Sequence, residues 1–285
     1  MRRHELTDAE WNALRPHLPS GAVGRRRPDD RAVLNGIVWK IRTGVPWRDV
    51  PERYGSWQTL YTRFRRWALD GTFTEMLDAI RADKDAAGDI DWLVAVDSTI
   101  VRAHQHATGA KRGTMSGNET ADHALGRSRG GLTTKIHPAC GGGGRPLGFF
   151  LTGGNVNDCT RLEALLATVR VARRGPGRPR TRPDHVLGDK GYSSRKIRSH
   201  LRRRGIPHTI PERRDQVNNL LRKGKRGGRP PLFDPEAYKR RNVVERCFNR
   251  LKQFRGIAAR YDKTTSSFTA TITLASILLW LRRPL

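Results

Sequence analysis

Residues Trp92–Ala103 read WLVAVDSTIVRA. The apolar, β-branched run marks a buried strand, and it carries a carboxylate, Asp97, in its middle. A second short apolar run, HVLG, ends at Asp189. A carboxylate in or beside a buried strand is costly to place without a partner. Two of them on neighbouring strands repel unless a cation lies between, and Mg²⁺, a hard oxygen-seeking ion, suits the pair. The stretch YKRRNVVERCFNRLKQFRG, Tyr238–Gly256, reads as one basic helix with a single acid, Glu245. Val244, Cys247, Phe248, Leu251 and Phe254 form its buried stripe. Tyr238, Arg241, Glu245, Asn249 and Lys252 recur at spacings of three or four beside it. Glu245 can supply a third metal ligand from that helix. An ordinary ion pair with Arg241, four residues earlier, fits the same spacing.

Working outward, LTTKIHPAC and RPLGFFLTGG are expected as two strands joined by a turn at Gly141–Gly144. DCTRLEALLATVRVARR and SSRKIRSHLRRRG read as helices, and IPHTIP as a short strand. With the Tyr238 helix at the end, this is a mixed α/β domain. The N-terminal part is helical. Thr7 and Glu10 form a capping box, and Gly44 stops the helix of DDRAVLNGIVWKIRTG. A short turn around Trp47 precedes a helix capped by Ser56. That helix turns Trp57, Leu60, Tyr61, Phe64 and Trp67 inward and a basic face, including Arg63 and Arg66, outward. The pattern fits a helix-turn-helix or a plain bundle. RADKDAAGDID, Arg81–Asp91, is read as a linker, giving a helical domain at 1–85 and an α/β domain at 86–285.

The chain has 285 residues with 55 Lys and Arg against 27 Asp and Glu, a formal net charge of +28. Such a balance points to a polyanion, double-stranded DNA first. Basic loops at 170–230 concentrate the charge, with 20 Lys and Arg against four acids between Arg170 and Arg229. RRGPGRPRTRP and RKGKRGGRPP look like loops that contact phosphates. Three dispersed cysteines give neither a disulfide framework nor a zinc-finger spacing. The N-terminus has no apolar core of a signal peptide. FTATITLASILLWL is short for a membrane span and suits a buried closing helix. His104 and His106 form an HxH pair, and Asp158 is a further acid near the metal candidates. Gly141–Gly144 lacks the GKS or GKT of a phosphate loop.

Tyr238, Arg241, Glu245 and Lys252 together resemble the Y-R-E-K signature of bacterial insertion-sequence DDE transposases. AVDSTIVRAH and GDKGYSS resemble the segments around the first and second aspartates, and NVVERCFNRLKQFRGIAARYDK the third block. GVPWRDVPERYGSWQTLYTRFRRW is similar to the family's helical DNA-binding region, and the insertion-sequence-five type is the nearest group. The resemblance implies a ribonuclease-H-like catalytic domain, a mixed sheet flanked by helices, behind an all-helical helix-turn-helix domain. It implies that Asp97, Asp189 and Glu245 are catalytic metal ligands for Mg²⁺, with Mn²⁺ able to substitute. Tyr238, Arg241, Lys252 and Lys190 are then DNA contacts at the catalytic end, with Arg63 and Arg66 at the helical end. The implied partners are element ends and target DNA, held by a homodimer in the bacterial cytoplasm on the nucleoid, with no membrane. A DNA-binding regulator and a nuclease without strand transfer are the rival readings.

Overall fold

The Trp92–Ala103 strand is interrupted at its acid. The structure, a computed structural model, describes residues 3–19, 29–109 and 122–282. It places β1 at Leu93–Val96 and β2 at Thr99–Ala103. Both pair with the long β4, Gly131–Cys140, in one shared antiparallel register: Val96 faces Ala139 and Thr99 faces Ile136. Pro138 therefore lies opposite Asp97. It brings no N–H to the ladder, and the pairing lapses over Asp97 and Ser98.

A short β3, Gly126–Ser128, and β5, Pro146–Gly153, pair antiparallel with β4. The expected hairpin around Gly141–Gly144 is therefore present. On the other side of β1 lies β6, His185–Gly188, and beyond it β7, His208–Thr209, both parallel. The two-residue β8, Ala259–Arg260, runs parallel to β2. The principal order is thus β5–β4–β1/β2–β6–β7, with three antiparallel strands followed by two parallel ones. This mixed α/β sheet beside a helical region is consistent with a ribonuclease-H-like architecture.

The helical region begins with α1, Asp8–Leu14, whose Thr7–Glu10 capping box forms as expected. Helix α2, Asp30–Thr43, ends where Gly44 takes φ +73, a left-handed stop that only glycine adopts without strain. Helix α3, Trp57–Leu69, is capped by Ser56 and buries Leu60, Phe64 and Trp67. Tyr61, expected in that stripe, is 40% exposed. Gly36 lets α2 approach closely, since a Cβ there would stand 2.8 Å from the Tyr54 Cβ. Helix α4 spans Thr72–Ala86, so the first half of the expected linker is helix. Arg81 within it is buried and bonds the Leu147 carbonyl of β5 and Asp78. The first residue of the expected linker thus ties α4 to the sheet.

The rest of the chain holds α5, Gln105–Thr108; α6, Leu162–Thr168; α7, Arg195–Arg203; α8, Arg214–Lys223; α9, Pro235–Lys239; α10, Asn242–Lys252; α11, Arg255–Ala258; and α12, Thr265–Leu281. Helix α6 stops at Thr168, short of its expected end at Arg174, because Val171 turns to bridge Arg180. Helix α8 occupies part of the basic segment expected as loop. Helix α12 is buried almost all round and packs against α2, α3, α4, α10, α11 and β5. It joins the helical region to the sheet. Two polar ties reinforce that joint: buried Lys40 and Asp262 at 3.8 Å, and Arg282 Nε to Glu10 Oε1 at 2.6 Å. No helix among the described residues is long and apolar enough to cross a membrane.

Candidate active site

Strands β1 and β6 run in parallel register, with Val96 opposite Gly188. Asp97 and Asp189 are the next residue on each. The two carboxylates therefore leave the C-terminal edge of adjacent strands side by side, at a strand spacing of about 4.8 Å. That edge is where open α/β sheets bind ligands. Asp97 Oδ1 accepts from the Ser98 N–H at 2.8 Å. Asp189 Oδ1 accepts from the Gly191 N–H at 2.9 Å and caps the single turn Lys190–Tyr192. Backbone donors thus fix one oxygen of each acid. Lys190 itself is exposed beside Asp189.

The single helix expected from Tyr238 is two helices. Between α9 and α10 the amides of Arg240, Arg241, Val243 and Val244 each bond the carbonyl three residues back, at 2.9–3.2 Å. This tightened turn makes Arg241 the first residue before α10. Val243, Val244, Cys247, Phe248 and Leu251 seat α10 on the core. Arg241 Nη1 then donates to Asp97 Oδ2 at 2.6 Å, and its Nη2 lies 3.5 Å from Glu245 Oε1. Lys252 Nζ donates to Thr99 Oγ1 at 2.7 Å, two residues beyond Asp97. The Tyr238 ring lies 5.9 Å from the Arg241 guanidinium. Residues distant in sequence (Asp97, Asp189, Tyr238, Arg241, Glu245 and Lys252) are in this way assembled at one end of the sheet.

Burial pushes the Asp97 carboxyl above its ordinary pKa, and the nearby Asp189 charge adds to this. The Ser98 N–H and Arg241 act in the opposite direction without cancelling it. For Arg241, burial favours the neutral form, but the Asp97 hydrogen bond and charge outweigh it and raise its pKa. Among the described residues no three His, Cys, Asp or Glu are close enough to form a metal site. The donor set nevertheless suits a hard divalent ion, since all three candidate ligands are carboxylates. The Arg241 guanidinium also stands between Asp97 and Glu245 as a cation shared by both.

Behind the acids is a polar cluster of which the sequence reading singled out Asp158 but missed Lys135, His137 and Tyr192. Lys135 Nζ lies 3.0 Å from Asp158 Oδ1, and His137 Nδ1 3.8 Å from the same oxygen. His137 stacks on Phe150 at 4.7 Å and its Nε2 bonds Thr152 at 2.8 Å. Tyr192 is buried, and its hydroxyl has no hydrogen-bond partner among the described residues. Burial, followed by the charges of Asp158, Asp97 and Asp189, raises its pKa. A signal for the cluster exists in LTTKIHPAC: Lys135 and His137 alternate on one face of a buried strand, where each needs a partner.

At the helical end, Arg63 Nη1 pairs with Asp30 at 3.0 Å, so its charge is partly satisfied within the chain. Arg66 is exposed one turn later. Neither belongs to the carboxylate cluster. The short helix expected around Trp47 is two single turns, Trp47–Asp49 and Glu52–Tyr54. The link from α2 to α3 is thus longer than the 3–4 residues of an ordinary helix-turn-helix. The His104 and His106 rings lie 4.8 Å apart, tilted by 37°, and His104 Nδ1 accepts from the His106 N–H, so that nitrogen serves the helix cap.

Residues 89–280 match the family described as "Transposase DDE domain", and residues 6–77 match "Putative transposase of IS4/5 family". The chain is 32% identical over 161 residues to "Putative transposase for insertion sequence element IS402" of Burkholderia cepacia, covering 56% of this chain and 68% of that one. It is 30% identical over 151 residues to "Putative transposase for insertion sequence element IS6501" of Brucella ovis, covering 53% of this chain and all of that one. It is also 41% identical over 109 residues to "Uncharacterized protein y4sN" of Sinorhizobium fredii, covering 38% of this chain and 83% of the other. With the DDE domain matched over most of its length, the chain belongs to the DDE transposases of bacterial insertion sequences.

Proposed function

We propose that this chain is an insertion-sequence-five-type transposase with the Y-R-E-K signature. It binds the ends of its element, cuts the DNA by metal-dependent phosphodiester hydrolysis and joins the 3′ ends to target DNA. The observation that carries this reading is the parallel register that sets Asp97 beside Asp189, with Arg241 linking Asp97 to Glu245. Asp97, Asp189 and Glu245 would hold Mg²⁺ or Mn²⁺. Such an ion, when bound, supplies activation of the attacking oxygen and neutralisation of the leaving one.

The chain's own residues provide position and charge, which phosphoryl transfer chiefly needs. The Ser98 and Gly191 amides hold the two aspartates in fixed rotamers. Arg241 and Lys252 present cations to the phosphates flanking the scissile bond, and Lys190 adds a third from the Asp189 side. Tyr238 stacks on or hydrogen-bonds an exposed nucleotide. Residues 1–85 read the element end through the outer face of α3, with Arg66 and Arg63 as contacts. Two chains synapse two ends. Incubating the full chain with Mg²⁺, labelled element ends and a plasmid tests the reading. Joined product is expected. Cutting without joining would make it a nuclease, and binding alone a regulator.

A further inference from the structure

A second face of α10 has the opposite electrostatic character from the carboxylate face. Arg246 and Arg250 lie roughly 100–140° around the helix from Glu245. They line a cleft of about 730 Å³ with Arg42, Arg282 and the Gly142–Gly144 turn. Neither Arg246 nor Arg250 has an acid partner among the described residues. Arg42 lies over the Phe254 ring at 3.7 Å, and its buried Nε has no hydrogen-bond partner among the described residues. Burial and then Arg282 bring the Arg42 pKa down to about 10. Arg145, bonded to the Arg282 carbonyl, also has a buried Nε without a partner among the described residues and feels Arg250. Among the described residues, the one carboxylate hydrogen-bonded to any of the five guanidiniums is Glu10, on Arg282.

Mutual repulsion and unsatisfied buried donors make this arrangement unfavourable without an anion. Guanidinium donors match phosphate oxygens in charge and geometry. We propose that the cleft is a second phosphate-binding site, which holds a backbone phosphate of the bound DNA away from the scissile bond. DNA is favoured over a free anion because the cleft lies on the same helix as Glu245. The inference rests on the transposase reading for the identity of the DNA.

The test uses the full chain, a duplex carrying the element end, and fluorescence anisotropy across a salt series. Arg246→Gln with Arg250→Gln should weaken binding several-fold and reduce the slope of log affinity against log salt by about one to two, at about 0.9 per phosphate neutralised. Gly143→Glu, which adds a carboxylate at an open point of the turn, should do the same. Both variants should keep the wild-type Mn²⁺ affinity and melt no lower than the wild type, since each relieves repulsion among the arginines. Unchanged slope and affinity in both would overturn the proposal. Stabilisation by pyrophosphate that these variants lose, with DNA binding unaltered, would overturn it in favour of a free-anion site. A wild-type chain that fails to bind or cut DNA would instead sink the transposase reading, and that result is distinct from a selective failure of the cleft variants.

Discussion

The two faces of α10 carry the same residue types to different ends. On one, Arg241 is spent on Asp97 and Glu245, and Lys252 on Thr99, so each cation has an internal partner. On the other, Arg246 and Arg250 line a cleft with Arg42 and Arg282, and no acid is among its lining residues. The helix sequence alone does not distinguish the faces. The difference comes from what packs opposite: the acid-bearing ends of β1 and β6 on one side, and the basic C-terminal ends of α2 and α12 on the other. A charge is therefore to be judged by its tertiary neighbours, and each face can be perturbed separately.

The largest effect is expected on the carboxylate face. Asp97→Asn, Asp189→Asn and Glu245→Gln should each take DNA cutting below detection while leaving end binding nearly intact. Gel assays of cleavage and anisotropy on the same preparations check both. Near wild-type cleavage in any variant removes that residue from the site.

Next is Arg241→Ala in metal-free protein. It leaves the partly buried Asp97 without its cation, and should cost about 2–3 kcal/mol, at or below the lower end for breaking a fully buried pair. Asp97→Asn in the same chain should recover most of that loss, as read by urea unfolding in a double-mutant cycle. Additive losses would mean that the two residues do not stabilise each other.

A smaller effect is expected at His137, whose burial lowers its pKa from 6.5 to about 4. At pH 7 the imidazole is neutral in both states. Between pH 6.5 and 4 the unfolded chain binds the proton and the folded chain does not, so stability falls as pH falls. At pH 5 the loss is about 2 kcal/mol. His137→Gln should flatten the pH dependence of the urea midpoint by that amount, and an unchanged slope would refute the shift.

The smallest effect is at the helical end. Arg66→Ala should weaken end binding by about 1 kcal/mol, at the lower edge for a base contact. Arg63→Ala should cost less, because Asp30 already holds that guanidinium. Equal losses, or a folded 1–85 fragment with no preference for ends, would count against recognition by α3.

What was legible in the sequence was local or strongly patterned. The Thr7 and Ser56 caps, the Gly44 stop, the β4–β5 hairpin and the apolar α12 each follow from neighbours within a few residues. Asp97 and Asp189 stood out because a carboxylate after an apolar strand is expensive. What was not legible depended on contacts across the chain. The break at Arg240–Arg241 comes with the docking of Arg241 on Asp97, 144 residues away. Arg81 made α4 part of the packed structure through Leu147, where composition suggested a linker. The Lys135–Asp158 pair and the arginine cleft bring together segments that share no motif.

Under the proposed function, Asp97, Asp189 and Glu245 serve one cation site, with Arg241 as the shared cation of the metal-free protein. Calorimetric titration of Mn²⁺ into the full chain tests it without relying on activity. Asp97→Asn, Asp189→Asn and Glu245→Gln are each expected to weaken the same binding event, and Arg241→Ala to strengthen it. Wild-type Mn²⁺ binding in Glu245→Gln would contradict the claim and leave Glu245 as an ion-pair partner of Arg241 alone.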